Sequence, residues 1–289
     1  MARPLVAPDA LAYNRLEPGR TATRKRVIAM SDPLDRARDE LASSFGYQKV
    51  RPEDKPALVG GVFAKVAGRY DLMNDLMSAG VHRLWKAAMI DWLAPRAGLR
   101  LLDVAGGTGD IAFRVLERMA RRGAEPGAIV VCDRSPAMLE VGRDRAIDDN
   151  RPGTMQWLCA DAQALPLPDR SFDAYTIAFG IRNVTRIERA LAEARRVLRP
   201  GGRFLCLEFS TVQLPGLDRL YDAYSFTVLP WLGERVAEDR AAYRYLAESI
   251  RRFPDQATFA RLIERAGFDR VRHRNLSGGI AALHSAWRL

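Results

Sequence analysis

Between residues 99 and 209 the spacing of apolar positions switches repeatedly between two periods. LRLLDVA (99–105), AIVVCD (128–133), MQWLCAD (155–161), FDAYTIAF (172–179) and GRFLCLEF (202–209) are short, nearly unbroken apolar runs, the pattern of strands buried on both faces. Between them, residues 109–122, SPAMLEVGRDRA (135–146) and 185–198 repeat apolar residues every three or four positions, as a helix with one buried face does. Ser135 is placed to cap the second of these helices, with Pro136 in its first turn, and Pro200-Gly201-Gly202 leads into the last strand. Strand and helix in alternation predict a parallel sheet wrapped on both faces. Upstream, residues 58–93 keep a helical period. Downstream, 213–252 is mostly helical with breaks at Pro215 and Pro230. A helix at 255–266 and the segments GFDRVRHRNL and IAALHSAWRL then add one helix and two more strands to the same sheet. No segment repeats at a fixed period.

Composition narrows the classes. At 289 residues the chain has room for one large domain or two small ones, and 48% apolar with 28% charged residues is an ordinary soluble balance. Forty-five Lys and Arg against 35 Asp and Glu leave +10, an excess that suits an anionic partner or a solvated helix face equally. No apolar run reaches the roughly 18–20 residues of a membrane span, so no transmembrane helix is expected. Cys132, Cys159 and Cys206 each sit in a strand-like run without a C-x-x-C pair, and are expected to be core residues in a reducing compartment. His82, His273 and His284 lack ligand spacing, so no metal is expected. Residues 1–29 carry six basic residues against two acidic ones. They read as a tail, as sequence upstream of a start at Met30, or as an Arg-rich transit peptide. The expected boundaries are an N-terminal extension over 1–43 and a single domain over 44–289, with a helical lid at about 213–252.

The candidate chemistry lies where the first strand of the alternating region turns into its helix, LLDVAGGTGDIAFRV (101–115). In an open parallel sheet, ligands bind at the carboxyl ends of the strands, and this turn is the usual place. Asp103 closes the strand, and Gly106, Gly107 and Gly109 let the backbone approach a ligand. The dinucleotide fingerprint is incomplete, because Ala112 stands at its third glycine, and no Lys-Ser/Thr follows to make a P-loop. Asp133 ends the second strand, 24 residues past Gly109, where an acid accepts ribose hydroxyls, and Asp161 ends the third. Three acids around one cleft repel a pyrophosphate. They match a ligand that carries an ammonium, a sulfonium, a ribose and an adenine, and S-adenosylmethionine is that ligand. Taken singly, each acid is also compatible with a helix cap.

These blocks, with RVLRPGGRFLCLEF (196–209), resemble a class I S-adenosylmethionine methyltransferase. RYDLMNDLMSAGVHRLWK (69–86), LDVAGGTGD, FGIRNVT (179–185), LEFS (207–210), YDAYSFTVLP (221–230) and YRYLAESIRRFPDQ (243–256) narrow the resemblance to the ubiquinone/menaquinone biosynthesis C-methyltransferase family, the UbiE family, over about 44–289. The resemblance implies a Rossmann-like, mainly parallel seven-stranded sheet with helices on both faces. It implies cofactor contacts from Thr108, Asp133, Asp161 and Ala162, beside Asp103, Gly106, Gly107 and Gly109. Where the family often carries Ser before FG, this chain has Ala178, leaving only backbone for that contact.

The family's reaction moves a methyl group to a ring carbon of a polyprenylated benzoquinol or naphthoquinol. Loss of a proton from a ring hydroxyl makes the carbon nucleophilic, so the enzyme must align the reactants and stabilise a phenolate-like state. Arg182 follows the fourth strand and is expected to stabilise that charge or position a proton-accepting water, with Asn183 as a neutral partner. The alternative for Arg182 is a loop-carbonyl contact or an acid pair. Tyr224 and Tyr245 are the candidate substrate-binding residues. The aromatic and aliphatic stretches at 72–85 and 221–236 form either a lid or groove for the tail, or ordinary core. The implied partners are the quinol, a peripheral membrane surface or quinone-biosynthesis complex, and a second copy of the chain, with a cytoplasmic location at the inner face of the membrane. Nucleic acid is not expected, because FGIRN stands where base-modifying amino-methylases commonly carry D/N-P-P-Y/F. Two other readings remain at this stage: a methyltransferase for another small molecule such as a phenol or sterol-like lipid, and a non-catalytic cofactor-binding assembly subunit.

Overall fold

The computed structural model describes residues 32–66, 75, 78, 80–151, 153–216 and 240–289. Within them the order is α1 (Pro33–Ala42), a hairpin of β1 (Ser44–Phe45) and β2 (Gln48–Lys49), α2 (Lys55–Val66) and α3 (His82–Leu93). The alternating region follows as β3 (Arg100–Val104), α4 (Asp110–Ala120), β4 (Ala128–Asp133), α5 (Pro136–Asp148), β5 (Gln156–Cys159), β6 (Phe172–Ala178), α6 (Ile187–Val197) and β7 (Leu198–Phe209). The chain closes with α7 (Arg240–Arg252), α8 (Gln256–Arg265), β8 (Asp269–Leu276) and β9 (Ala281–Arg288).

Seven strands form one sheet in the order β5-β4-β3-β6-β7-β9-β8. The pairs from β5 to β7 are parallel, and β9 runs antiparallel to both β7 and β8. The winding starts at β3, goes outward to β5 and returns to the other side of β3 at β6, so β3 flanks the switch point where α/β sheets bind ligands. Side chains alternate between two apolar cores. Leu101, Val131, Leu205 and Leu207 meet Trp85, Met89 and Leu116 on one face. Leu102, Cys132, Ile177, Phe204 and Cys206 meet Leu191, Val197, Phe259 and Ile263 on the other. Such strands are apolar at every position because both faces are covered, each buried Leu contributing about 1.5–3 kcal/mol.

Three expectations change. Residues 33–42, placed in the N-terminal extension, are part of the fold. Asp32 caps α1 by accepting from Leu34 N, Leu41 is buried in the second core, and Lys55 Nζ donates to Leu41 O at 2.7 Å. The compact unit that holds the sheet begins at Asp32 rather than at 44. β7 begins at Leu198, with Pro200-Gly201-Gly202 inside it, because Leu198 pairs with Phe172 before the register shifts. Cys159 is exposed, since β5 is the sheet's edge, whereas Cys132 and Cys206 are buried as expected. Of the expected lid, 240–252 is helical, and residues 217–239, with Tyr224, lie outside the described residues.

Candidate functional site

The carboxyl ends of β3, β4, β5 and β6 surround a cavity of about 310 Å³. Two of these strand ends turn through non-glycine residues in the left-handed region, Ala105 after β3 (φ 50°) and Phe179 after β6 (φ 57°), and both line the cavity. Such a conformation costs on the order of 1–2 kcal/mol at each residue and is held only where the surroundings enforce it. Gly180 is required where these two loops meet, because a Cβ there would lie 2.3 Å from Ala105 Cβ.

Gly107 presents its backbone to the cavity with φ +54°, and a Cβ at this position would press on the Met138 methyl at 2.9 Å. Its N–H donates to Asp133 Oδ2 at 2.9 Å, while Ser135 N donates to Oδ1 at 2.8 Å. Asp133 is thereby fixed at the end of β4 by the glycine turn on one side and the cap of α5 on the other. Burial raises its pKa, opposed by these backbone donors. Asp161 is held in a similar way: Gln163 donates to it from its backbone N at 2.9 Å and from its amide at 2.9 and 3.1 Å. The Gln163 Oε1 in turn accepts from Arg186 N at 2.9 Å. Gln163 therefore ties the β5 loop to the β6 loop, a function that sequence reading missed because nothing in CADAQALP distinguishes this amide from a solvated one.

The fourth wall comes from α2, where Pro56, Val59, Gly60 and Phe63 recur at helical spacing along one face. Opposite it stands the β6 loop. Asn183 lines the cavity, and its Oδ1 accepts from Tyr245 Oη at 2.8 Å. Tyr245 stacks on Phe45 with ring centroids 4.2 Å apart. Burial of this phenol raises its pKa, so it stays a donor to Asn183.

Of the residues singled out from sequence, Gly107, Asp133, Asp161, Ala162 and Asn183 line the cavity. Gly106, Thr108 and Gly109 form the turn behind Gly107, with Gly109 as the N-cap of α4, and Ala178 is the last residue of β6. Two positions differ from expectation. Asp103 does not reach the cleft. It lies one residue inside β3, fully buried, accepting from Thr176 Oγ1 at 2.7 Å, with Oδ2 lacking a hydrogen-bond partner. Burial pushes its pKa up to about 7. Arg182 does not face the cavity either. Its side chain is 2% exposed and donates to Glu208 Oε1 at 2.7 Å and to Phe179 O at 2.6 Å. The carbonyl contact and the acid pair, the alternative open in the sequence, are both present. Glu208 was invisible beforehand because LCLEF reads as an unbroken buried strand.

A ligand entering this space meets two oriented carboxylates, Asp133 and Asp161, a backbone that has made room at Gly107, and apolar walls from α2 and Met138. That donor set fits the ribose, adenine and cationic parts of S-adenosylmethionine. Among the described residues no cluster of His, Cys, Asp or Glu could hold a metal ion.

The model of the ubiE/COQ5 methyltransferase family matches residues 49–288. The chain belongs to this family. It is 62% identical over 246 residues to the ubiquinone/menaquinone biosynthesis C-methyltransferase UbiE of Paracoccus denitrificans, covering 85% of this chain and 96% of that one. It is 60% identical over 255 residues to the UbiE of Methylobacterium nodulans, covering 88% and 99%. A SAM-dependent methyltransferase structure from Thermotoga maritima matches the fold with a TM-score of 0.54 and 20% identity, over 80% of this chain and all of that one. This member of the ubiE/COQ5 family is an S-adenosylmethionine-dependent C-methyltransferase.

Proposed function

We propose that this methyltransferase methylates a ring carbon of a polyprenylated quinol, either a benzoquinol or a naphthoquinol. The observation that carries the reading is the FGIRN loop, which brings Asn183 into the cavity opposite an apolar helix face, in a chain 62% identical to a UbiE enzyme along nearly its whole length. Bound S-adenosylmethionine supplies an electrophilic methyl group. Asp133 accepts the ribose hydroxyls, and Asp161 with Ala162 borders the adenine. Because Asn183 Oδ1 is engaged by Tyr245, its Nδ2 donors remain to hold a ring oxygen as charge develops there. Arg182 acts as a positioning residue. By gripping Phe179 O and Glu208 it keeps the left-handed turn that presents Gly180 and Asn183. The ring-hydroxyl proton passes to water at the cavity.

Among the described residues no helix is long and apolar enough to cross a membrane. A polyprenylated substrate favours peripheral attachment to a bilayer, and association with other quinone-synthesis proteins or a second copy fits the same reading. The test is incubation of the purified chain with S-adenosylmethionine and a short-tailed quinol, followed by mass analysis. A ring-methylated product is expected. Cofactor binding without transfer would favour a non-catalytic assembly subunit, and methylation only of simple phenols would move the substrate class.

A further inference from the structure

At the edge of the sheet away from β5, two arginines stack on two indoles and a third lies on the same strand as one of them, with no carboxylate paired to any of the three among the described residues. The Arg274 guanidinium lies 4.2 Å from the centroid of the Trp92 ring, and that of Arg203 lies 5.3 Å from it and 5.0 Å from the Trp287 ring. Arg203 donates to Ser285 Oγ and to the Trp92 carbonyl, both neutral acceptors. Burial and the nearby Arg274 both lower the pKa of Arg203, as expected for like charges held together without an anion. Arg272, two residues before Arg274, projects from the same face of β8 and is exposed. Elsewhere many arginines of the fold are paired: Arg51 with Asp54, Arg118 with Asp91, Arg196 with Glu193. What sets this place apart is that two guanidinium groups share one indole and the hydrogen bonds of Arg203 go to neutral acceptors alone, an arrangement that suits an external anion.

The same surface carries an apolar stripe. Leu84, Ala88 and Trp92 stand four residues apart on α3, and Leu84 is 70% exposed. The register places the Arg274 end of the patch level with the mouth of the site. Arg274 pairs with Leu283, Leu283 with Leu207, and Leu207 with Ala178, the last residue of the strand that ends at the cavity. At the first turn of α3, Trp85 packs on Phe179, which lines that cavity.

We propose that the face made by α3 and β8, with Leu84, Trp92, Arg203, Arg272 and Arg274, docks this enzyme on an anionic lipid surface. Indoles settle at the headgroup level with their apolar bodies inward, and guanidinium forks match phosphodiester oxygens. The exposed leucine supplies apolar insertion at the end nearest the site. A second copy adding a strand at this edge is disfavoured, because β8 is charged and exposed along most of its length, which blunts strand pairing. The inference deepens the quinol reading, since a polyprenylated substrate resides in a bilayer.

The test is co-sedimentation of the full chain with vesicles of phosphatidylcholine alone and of phosphatidylcholine with phosphatidylglycerol. Binding to the anionic vesicles is expected, with weak binding to the neutral ones. Each basic residue near an anionic surface adds about fivefold in partitioning. Arg272→Glu alone should therefore lower binding at least fivefold, and Arg272→Glu with Arg274→Glu more than tenfold. Leu84→Gln should weaken it, while Ile147→Glu on α5, at the opposite end of the sheet, should not. Arg272 is exposed and outside the indole stacks, so its variant keeps the test readable if Arg274→Glu lowers the melting temperature. Equal binding by wild type and the Arg272→Glu variant would overturn the docking face. So would equal binding to both vesicle types, or release by inorganic phosphate at constant ionic strength, which would indicate a soluble phosphate site. Methylation of a water-soluble, short-tailed quinol is measured alongside and should be the same in all variants. Its failure in the wild type would sink the quinol reading alone, and the vesicle data would still decide the docking face.

Discussion

Asp133 and Arg182 are both charged and both stand at the carboxyl ends of parallel strands around the same cavity, the first closing β4 and the second in the loop after β6, yet their charges serve different ends. Asp133 is clamped by two backbone N–H groups and turns its acceptor capacity to the cavity. Arg182 is turned away, its charge matched by Glu208 and its remaining reach taken by Phe179 O. A charge that meets a ligand must stay partly unsatisfied until the ligand arrives. A charge that shapes a loop must be satisfied beforehand. The two cases predict opposite separations of stability from binding.

The largest effect is expected at the buried pair. Arg182→Ala leaves Glu208 buried without its countercharge, held only by the backbone N–H groups of Phe209 and residue 182, which costs about 3–5 kcal/mol of stability. Glu208→Gln with Arg182→Met, which removes both charges, should recover much of the loss. Urea denaturation reads both. If Arg182→Ala kept wild-type stability and lost only turnover, Arg182 would instead act directly on the substrate ring.

Asp103 offers a second contrast with Asp133, as a carboxyl placed behind the turn rather than in front of it. Its unfolded value is near 3.8 and its folded value about 7. Between those limits the unfolded chain gives up the proton while the folded one keeps it, so stability falls as pH rises from about 4 to 7, by up to about 4 kcal/mol. Asp103→Asn cannot titrate. Thermal melts from pH 4.5 to 8 should show the variant gaining on the wild type across that window and holding a constant offset above it. Parallel curves would show that Asp103 is ionised in the fold.

At Asp133 the loss should appear in binding. Asp133→Ala is expected to weaken S-adenosylmethionine by about 1–3 kcal/mol in calorimetry, because ribose hydroxyls lose their charged acceptor. Unchanged affinity would remove Asp133 from the site. Its effect on stability should be smaller than that of Arg182→Ala.

The sheet was legible because its parallel strands are covered on both sides, and continuous apolar runs such as AIVVCD and FDAYTIAF arise chiefly from that burial. Asp133 and Asp161 were legible as strand-end acids, since strand and helix signals meet at those residues. Asp103 was misplaced by a single position: one residue inside the strand end, period-2 alternation turns a side chain into the sheet's core instead of the cleft. Arg182 was misplaced for a different reason. Its partner Glu208 lies in another strand, 26 residues on, and no local pattern reports a long-range ion pair. The left-handed turns at Ala105 and Phe179 left no trace either, because neither residue type favours that conformation. The start of the fold at Asp32 was missed because α1 joins the core chiefly through Leu41.

The smallest effect concerns Tyr245, which belongs to neither class. It touches Asn183 from outside the cavity wall, and its hydroxyl donates to the amide oxygen, leaving the amide N–H groups directed to a ligand. Tyr245→Phe keeps the ring on Phe45 and deletes only that donor. One neutral hydrogen bond is worth about 0.5–1.5 kcal/mol, so stability should fall by no more than that. An unanchored Asn183 amide can flip and offer its oxygen to the substrate, so kcat with a short-tailed quinol should fall by about tenfold, the rate equivalent of roughly 1.4 kcal/mol. Cofactor affinity should be unchanged, because Asp133 and Asp161 are held independently of α7. Asn183→Ala removes the same donors altogether and should not add to Tyr245→Phe when the two are combined, since they act as a unit. If the two losses multiplied, Tyr245 would touch the substrate itself, and the division between residues that meet the ligand and residues that shape the loop would have to be drawn on its other side.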